Sequence, residues 1–313
     1  MNDKKIYDAI VKSEPILKGW SEDKKYCVTT TDGQRLLLRV SDISEYERKK
    51  AEFSMMERAY NHGVCTSRPI EFGLCDGDKS VYQLSEWLDG EDGEVAHSKM
   101  SDKEKYNLGV KAGELLRKIH TLPVPDDAEP WNEWFIRKKV QPRMDFYNTN
   151  PDIQSENSYI IVQYLQNNKH LLNGRPQTFC HGDFNKSNLM IMQNGQIAVI
   201  DFNNYNKDHG DPWWEFDFVN WGGEPNPYYC TGLIKGYFGG EPPHKFFEII
   251  SYYIAYDAIG ALCDTSLGNQ GEPEEGWLHV KNSLLWLDNF KKSTPKWYLR
   301  DFHSCVPDTT SCY

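Results

Sequence analysis

The sequence predicts an α+β chain of two lobes, a small β-rich one followed by a large, mostly α-helical one. Three observations carry this expectation. Residues 1–86 alternate short β-branched and aromatic runs with Gly- and Asp-bearing turns, as an antiparallel sheet does. Beyond an acidic, glycine-bearing stretch at 89–95, apolar residues recur at helical spacing almost to the C-terminus. The chain of 313 residues is 39% hydrophobic and 13% aromatic, enough for a packed core in each of two domains.

Residues 4–13 read as a short helix. Two β-runs at 26–31 and 34–40 flank Asp32-Gly33, a two-residue hairpin signal. At 41–63, Tyr46, Phe53, Met56 and Tyr60 fall at helical spacing, and Gly63 suits a helix C-cap. Strands at 69–74 and 80–86 flank CDGD. Residues 1–88 are therefore expected to form the first lobe and 89–313 the second, with 89–95 as a linker. In the second lobe helices are predicted at 101–121, 131–147, 154–172, 227–238, 243–264 and 276–292. Two β-runs, 188–193 and 196–201, interrupt them. The most apolar run, 246–263, carries Glu248 and Asp257 and reads as a buried core helix.

Residues 1–86 hold 14 Lys/Arg against 15 Asp/Glu, while 87–313 hold 21 against 31. A net charge of −11 argues against a nucleic-acid or anionic-membrane partner and permits an acidic cleft for a cationic small molecule. The eight cysteines form no CxxC and the nine histidines no HExxH, so no zinc motif is visible. The N-terminus lacks a secretory pattern, and the expectation is a cytoplasmic protein with free thiols.

The chemistry concentrates in 179–204, FCHGDFNKSNLMIMQNGQIAVIDFNN. Asn194-Gly195 favours a two-residue loop, which pairs Gln193 with Gln196. That register sets Asn188 directly opposite Asp201, with Cβ atoms about 5 Å apart. An amide oxygen and a carboxylate side by side suit Mg²⁺. Five residues before Asn188, Asp183 is placed to take a proton from an attacking hydroxyl in a phosphoryl transfer. His181 is expected to hold the loop's shape. The plainer alternative is a helix-to-strand loop that Asp183 caps and Asn188 turns.

HGDFNKSN followed by IDF resembles the catalytic loop and metal-binding aspartate of the kinase-like small-molecule phosphotransferases. The branch it resembles includes aminoglycoside phosphotransferases and choline and ethanolamine kinases. Gly182 and Asn203 stand where protein kinases have Arg and Gly. GDPWWEFDF (210–218) and LRKIHTLP (116–123) are similar to segments of the same branch. The resemblance implies a protein-kinase-like two-lobed fold, with Asp183 as catalytic base and Asn188 and Asp201 as metal ligands. It also implies ATP, with GTP as the alternative nucleotide, and Mg²⁺.

There is no GxxxxGK[ST] and no GxGxxG, and 17–28 offers only Gly19 to a phosphate-covering loop. Arg39 ends the strand RLLLRV where the family places a cation for the α- and β-phosphates; the alternative is a solvent-facing strand end. Its carboxylate partner is expected from the following helix, Glu52 or, failing that, Glu45. Ser85, Glu86 and Trp87 lie where an adenine-holding hinge would, with Leu84 and Leu88 beside them, or they form a plain connector. An acceptor pocket is expected around Asp211, Glu215, Asp217 and Asp257, where carboxylates interleave with Trp213, Trp214 and Tyr253. The acceptor implied is a cationic amino sugar of the aminoglycoside type, with antibiotic resistance as the matching role. Choline, ethanolamine or another amino alcohol is the alternative, and a non-catalytic nucleotide-binding scaffold is the rival of another class.

Overall fold

A computed structural model describes residues 5–17, 22–203, 207–219, 225–269 and 271–302, without the side chains of 217–219. In chain order the first elements are β1 (Ile10–Ile16), β2 (Lys24–Thr30), β3 (Arg35–Asp42), α1 (Tyr46–Asn61), β4 (Pro69–Cys75), β5 (Ser80–Glu86), β6 (Gly90–Asp92) and α2 (Gly93–Lys99). Then come α3 (Asp102–Ile119), α4 (Trp131–Phe135), a π-helical turn (Ile136–Val140), α5 (Gln141–Thr149), α6 (Glu156–Asn167) and β7 (Thr178–Phe179). Last are β8 (Leu189–Met192), β9 (Ile197–Val199), β10 (His209–Gly210), α7 (Pro227–Phe238), α8 (His244–Ser266) and α9 (Pro273–Trp286). They form two compact units, Met1–Lys99 with His181–Asp208, and Met100–Cys180 with His209–Tyr313.

The first unit is built on an antiparallel sheet of order β1-β2-β3-β5-β4. Alternation along the strands buries Val28, Leu36, Leu38, Tyr82 and Leu84 on one face. On the other, Lys25, Arg39 and Gln83 form a row across β2, β3 and β5. A second sheet, β6-β8-β9, belongs to the same unit. Two expectations fail here. Of the helix expected at 4–13, the described residues 5–13 are not α-helical: a short 3-10 turn at Tyr7–Ala9 leads into β1, whose pairing with β2 outweighs the local helical pattern. The stretch 89–95 is not a bare linker, because Gly90–Asp92 pairs with β8 and α2 begins at Gly93.

Both turns singled out in the sequence close with three residues, not two. Thr30 pairs with Gln34 around Thr31-Asp32-Gly33, and Met192 with Gln196 around Gln193-Asn194-Gly195. Only the glycines take positive φ, +85° at Gly33 and +77° at Gly195, so each loop is a turn ending in a left-handed glycine.

The second unit is mainly helical. Gly109 and Gly113 on α3 face Gly232 and Gly236 on α7 so closely that the backbones touch. A Cβ at Gly113 would lie 2.1 Å from the Leu233 oxygen, and one at Gly236 2.1 Å from the Val110 oxygen. The helix expected at 131–147 contains the π turn just ahead of Pro142, where a residue without an N–H disturbs the ladder. Helix α8 is long and apolar enough to cross a membrane by length and composition, yet 89% of its most apolar stretch is buried inside the protein. Tyr252, Tyr253 and Ala255 on it are fully buried.

Candidate active site

Residues 181–203 fold back on themselves within the first unit. Gly182 takes a φ of +86°, and a Cβ there would lie 2.1 Å from the Asn203 oxygen. Asn203 N donates to the His181 carbonyl at 2.9 Å. His181 is fully buried; its Nδ1 accepts from Asp183 N at 3.2 Å and its Nε2 faces the Ile200 carbonyl at 2.9 Å. Those two partners select the tautomer protonated on Nε2. The imidazole is a strut between the two ends of the segment.

Asp183 is held from both sides. Its Oδ1 accepts from Asn185 Nδ2 at 2.9 Å and its Oδ2 from Asn188 Nδ2 at 2.8 Å. Burial pushes its carboxyl above the usual range; His181 and the two amides oppose this, and the nearby negative charge of Asp201 adds to it. Burial also acts to raise Asp201, but the Arg39 guanidinium overcomes it and holds that carboxyl low.

The register expected for this hairpin is off by one residue. Leu189 pairs with Val199 and Ile191 with Ile197, so Asn188 stands opposite Ile200, whose N–H donates to its carbonyl at 2.9 Å. The extra loop residue causes the slip. Inside a continued ladder it would send Asp201 to the other face. Pairing stops at Val199, however, and Asp201 adopts a φ of +68°, a left-handed conformation rare for a residue with a side chain. The carboxylate there meets Arg39 and lies within the electrostatic reach of Asp183.

Asn188 and Asp201 fit a divalent cation. Asn188 gives its amide nitrogen to Asp183, which leaves its oxygen as the donor to a metal. With Asp201 this is an all-oxygen set of the kind hard cations take, and a cation there would balance the charges of Asp201 and the nearby Asp183.

Arg39 contacts Asp201 and Asp23, not Glu52. Glu52 pairs instead with Arg48 at 2.7 Å and Lys49 at 3.2 Å, and Glu45 pairs with Arg48 at 2.5 Å. Sequence reading missed Asp23 and Lys49, since neither spacing nor alternation marks a carboxylate just ahead of a strand as a partner for the next one. Gly19 lies outside the described residues.

At the expected hinge, Ser85 is buried in β5 between Leu37 and Pro69. Glu86 N donates to the Arg68 carbonyl at 2.9 Å, and its own carbonyl accepts from Ser67 Oγ at 2.6 Å. Trp87 stacks under the Arg35 guanidinium, 5.0 Å from ring centre, and donates Nε1–H to Asp89 at 3.1 Å.

In the second unit the expected acceptor residues separate. Asp211 is fully buried and its carboxylate is engaged: Arg175 forks onto it at 2.7 Å twice, Tyr253 donates at 2.7 Å and Trp213 N at 2.9 Å. Glu215 meets His120 Nε2 at 3.0 Å, and His120 Nδ1 meets Tyr237 at 2.9 Å. These two carboxylates brace the interior, a correction to their expected place in an acceptor pocket. Cys180 joins His120 and Glu215 in a buried group with ligand atoms within 4.8 Å. The hydrogen bonds account for the histidine there without a metal. Asp217 lies outside the described side chains. Asp257 differs from the rest. Buried on α8, it accepts no hydrogen bond from any described residue, and the imidazole Nδ1 of His279, whose pKa burial lowers, lies 3.9 Å away. Burial pushes its carboxyl up to about 7, with Arg143 opposing and Asp264 reinforcing.

A model of the phosphotransferase enzyme family matches residues 12–247. Among solved structures, a choline/ethanolamine kinase family protein from Mesorhizobium loti is 15% identical, with 88% of each chain covered and a TM-score of 0.60. The spectinomycin phosphotransferase crystallised with ADP and spectinomycin is also 15% identical, over 87% of this chain and 88% of that one, at 0.53. An amicoumacin kinase in complex with AMP-PNP and Ca²⁺ is 14% identical over 90% of each chain, at 0.57. At such identities the likeness is one of fold, the α+β fold of kinase-like phosphotransferases. No curated protein matches the sequence.

Proposed function

The chain belongs to the phosphotransferase enzyme family, and on that footing we propose that it moves the γ-phosphoryl group of ATP to a hydroxyl of a cationic small molecule, an amino sugar of the aminoglycoside type. The observation that carries this reading is Asp183, fixed between Asn185 and Asn188, with its pKa raised by burial and further by the nearby Asp201. Each carboxylate oxygen of Asp183 accepts one amide hydrogen, which leaves further lone pairs for the proton of an acceptor hydroxyl. Its raised pKa makes it a better base for that proton. Mg²⁺, held by Asn188 and Asp201, would neutralise the phosphate oxygens. Arg39 supplies a guanidinium fork for phosphate.

The cationic acceptor rests on two supports. Residues 87–313 hold 31 acidic residues against 21 basic ones. Asp257 offers a buried carboxylate with no hydrogen-bond donor among the described residues, and an ammonium group would supply one. The spectinomycin phosphotransferase, similar in fold, holds ADP together with spectinomycin.

The test is a coupled ADP-release screen with Mg²⁺ and ATP or GTP over aminoglycosides, choline, ethanolamine and other amino alcohols. Release driven by an amino sugar, and lost in Asp183→Ala, supports the reading. Turnover of choline or ethanolamine alone moves the acceptor assignment to amino alcohols. Nucleotide binding with no turnover of any acceptor replaces it with the non-catalytic scaffold.

A further inference from the structure

The residue paired with Arg39 across β2 and β3 is Lys25. Two like charges thus stand directly opposed on one face of the sheet, which is destabilising unless an anion shares them. Asp201 and Asp23 are such anions, each bonded to Arg39, and of the two Asp23 lies on the strand side, just ahead of β2. The Oδ2 of Asp23 accepts from Arg39 Nη2 at 3.1 Å and from Lys49 Nζ at 2.7 Å, and its Oδ1 from Ser41 Oγ at 2.8 Å. The side chains of Asp23 and Lys49 are only 5% and 3% exposed, so this pair is shielded from water. Arg39 is not saturated by it: its Nε is buried and has no hydrogen-bond acceptor among the described residues. One donor of the guanidinium is thus unsatisfied, beside a second, half-buried cation.

Resting on the phosphotransferase reading, we infer that Asp23 is the positioning carboxylate of the nucleotide-phosphate site. Anchored by Lys49, it fixes the fork of Arg39, and Lys25 opposite is the second cation of the cradle that receives the phosphate oxygens. The carboxylate comes from the residue just ahead of β2 instead of from α1. Helix α1 contributes the opposite charge, Lys49. Glu52 neutralises Arg48 and the outer side of Lys49.

The wild-type chain, Asp23→Asn and Lys25→Gln are titrated with ATP and, separately, with adenosine, in Mg²⁺ buffer by calorimetry. Asn at 23 keeps the shape and removes the charge. Both variants are expected to weaken ATP by about tenfold and to leave adenosine unchanged. A merely structural role would weaken both ligands together, and that result overturns the inference, as does unchanged ATP affinity in both variants. Should Asp23→Asn not fold, Lys25→Gln decides by the same comparison. A wild-type chain that binds neither ATP nor adenosine brings down the phosphotransferase reading itself. A wild type that binds ATP, with variants that bind it equally well, brings down only the roles of Asp23 and Lys25.

Discussion

Asn188 reaches back five residues and donates one amide nitrogen to both the carbonyl and the carboxylate of Asp183, each at 2.8 Å. The contact does two things at once. It orients the carboxylate, and it leaves the amide oxygen free of that contact. Asn188→Asp reverses the first effect by setting an acceptor against an acceptor. Turnover is expected to fall by roughly 100- to 1,000-fold, the scale of losing one aligned donor in a reactive site. Steady-state rates with the acceptor found in the screen check this; a loss under tenfold would show that the contact does not orient the base.

Asp183 itself should set the acid limb of the pH–rate profile. Burial places its folded-state pKa above that of an ordinary aspartate, and only the ionised form accepts a proton. kcat/KM is therefore expected to fall as pH drops through a value higher than the usual carboxylate range. Asp183→Asn should lose about 100- to 10,000-fold in turnover while nucleotide affinity persists. An acid limb at the ordinary aspartate value would contradict the burial argument, and near-normal rates in the variant would remove Asp183 from the role of base.

Much of this was legible in the sequence, and the failures have physical causes. The six helices and the β2–β3 and β4–β5 hairpins follow from periodicity and turn residues, because those signals are local. The loop lengths did not follow. Asp-Gly and Asn-Gly allow a two-residue loop, but each also closes a three-residue one when only the glycine turns left-handed, as Gly33 and Gly195 do. Asp201 meets Arg39 by a left-handed backbone that no alternation rule anticipates. The order of elements points to the helix for the partner of Arg39, whereas Asp23 lies 16 positions before it in sequence. Pairing between strands that are neighbours in space decides such contacts, and spacing within one segment does not report it. Carboxylates among aromatics suggest a pocket at Asp211 and Glu215, although burial and aligned donors make them internal braces.

The paired glycines of α3 and α7 stand in two GxxxG patterns, 109–113 and 232–236, which the sequence reading does not use. Their contact leaves no room for a methyl group, since the obstacle is backbone on the facing helix. Gly236→Ala has to push the helices apart along the whole crossing. A cost of about 1–3 kcal/mol in urea denaturation is expected, as for other overpacked interiors. Gly63→Ala is the contrast: nothing lies within 4 Å of its Cβ position, so its cost comes from the left-handed backbone alone. Equal stability of Gly236→Ala and the wild type would mean that α3 and α7 are not packed at the glycines.

Asp257 gives the fold a pH dependence of predictable sign. Burial raises its carboxyl from the ordinary aspartate value to about 7, with Asp264 pushing the same way and Arg143 opposing. Between those two values the folded chain binds the proton more tightly than the unfolded chain. The contribution of Asp257 is thus intact at low pH and is lost as pH rises through about 7. His279, 3.9 Å away on α9, works in the opposite sense: burial lowers its pKa, so stability gained there grows as pH rises toward the ordinary histidine value. Comparing wild type with Asp257→Asn isolates the aspartate. The variant should be more stable than wild type at pH 8, with the advantage shrinking toward pH 5, as read from urea midpoints at fixed ionic strength. A cationic acceptor that ion-pairs with Asp257 would favour its charged form, so saturating acceptor should reduce the difference at pH 8. If the gap between the two proteins is the same at pH 5 and pH 8, Asp257 does not ionise within that range.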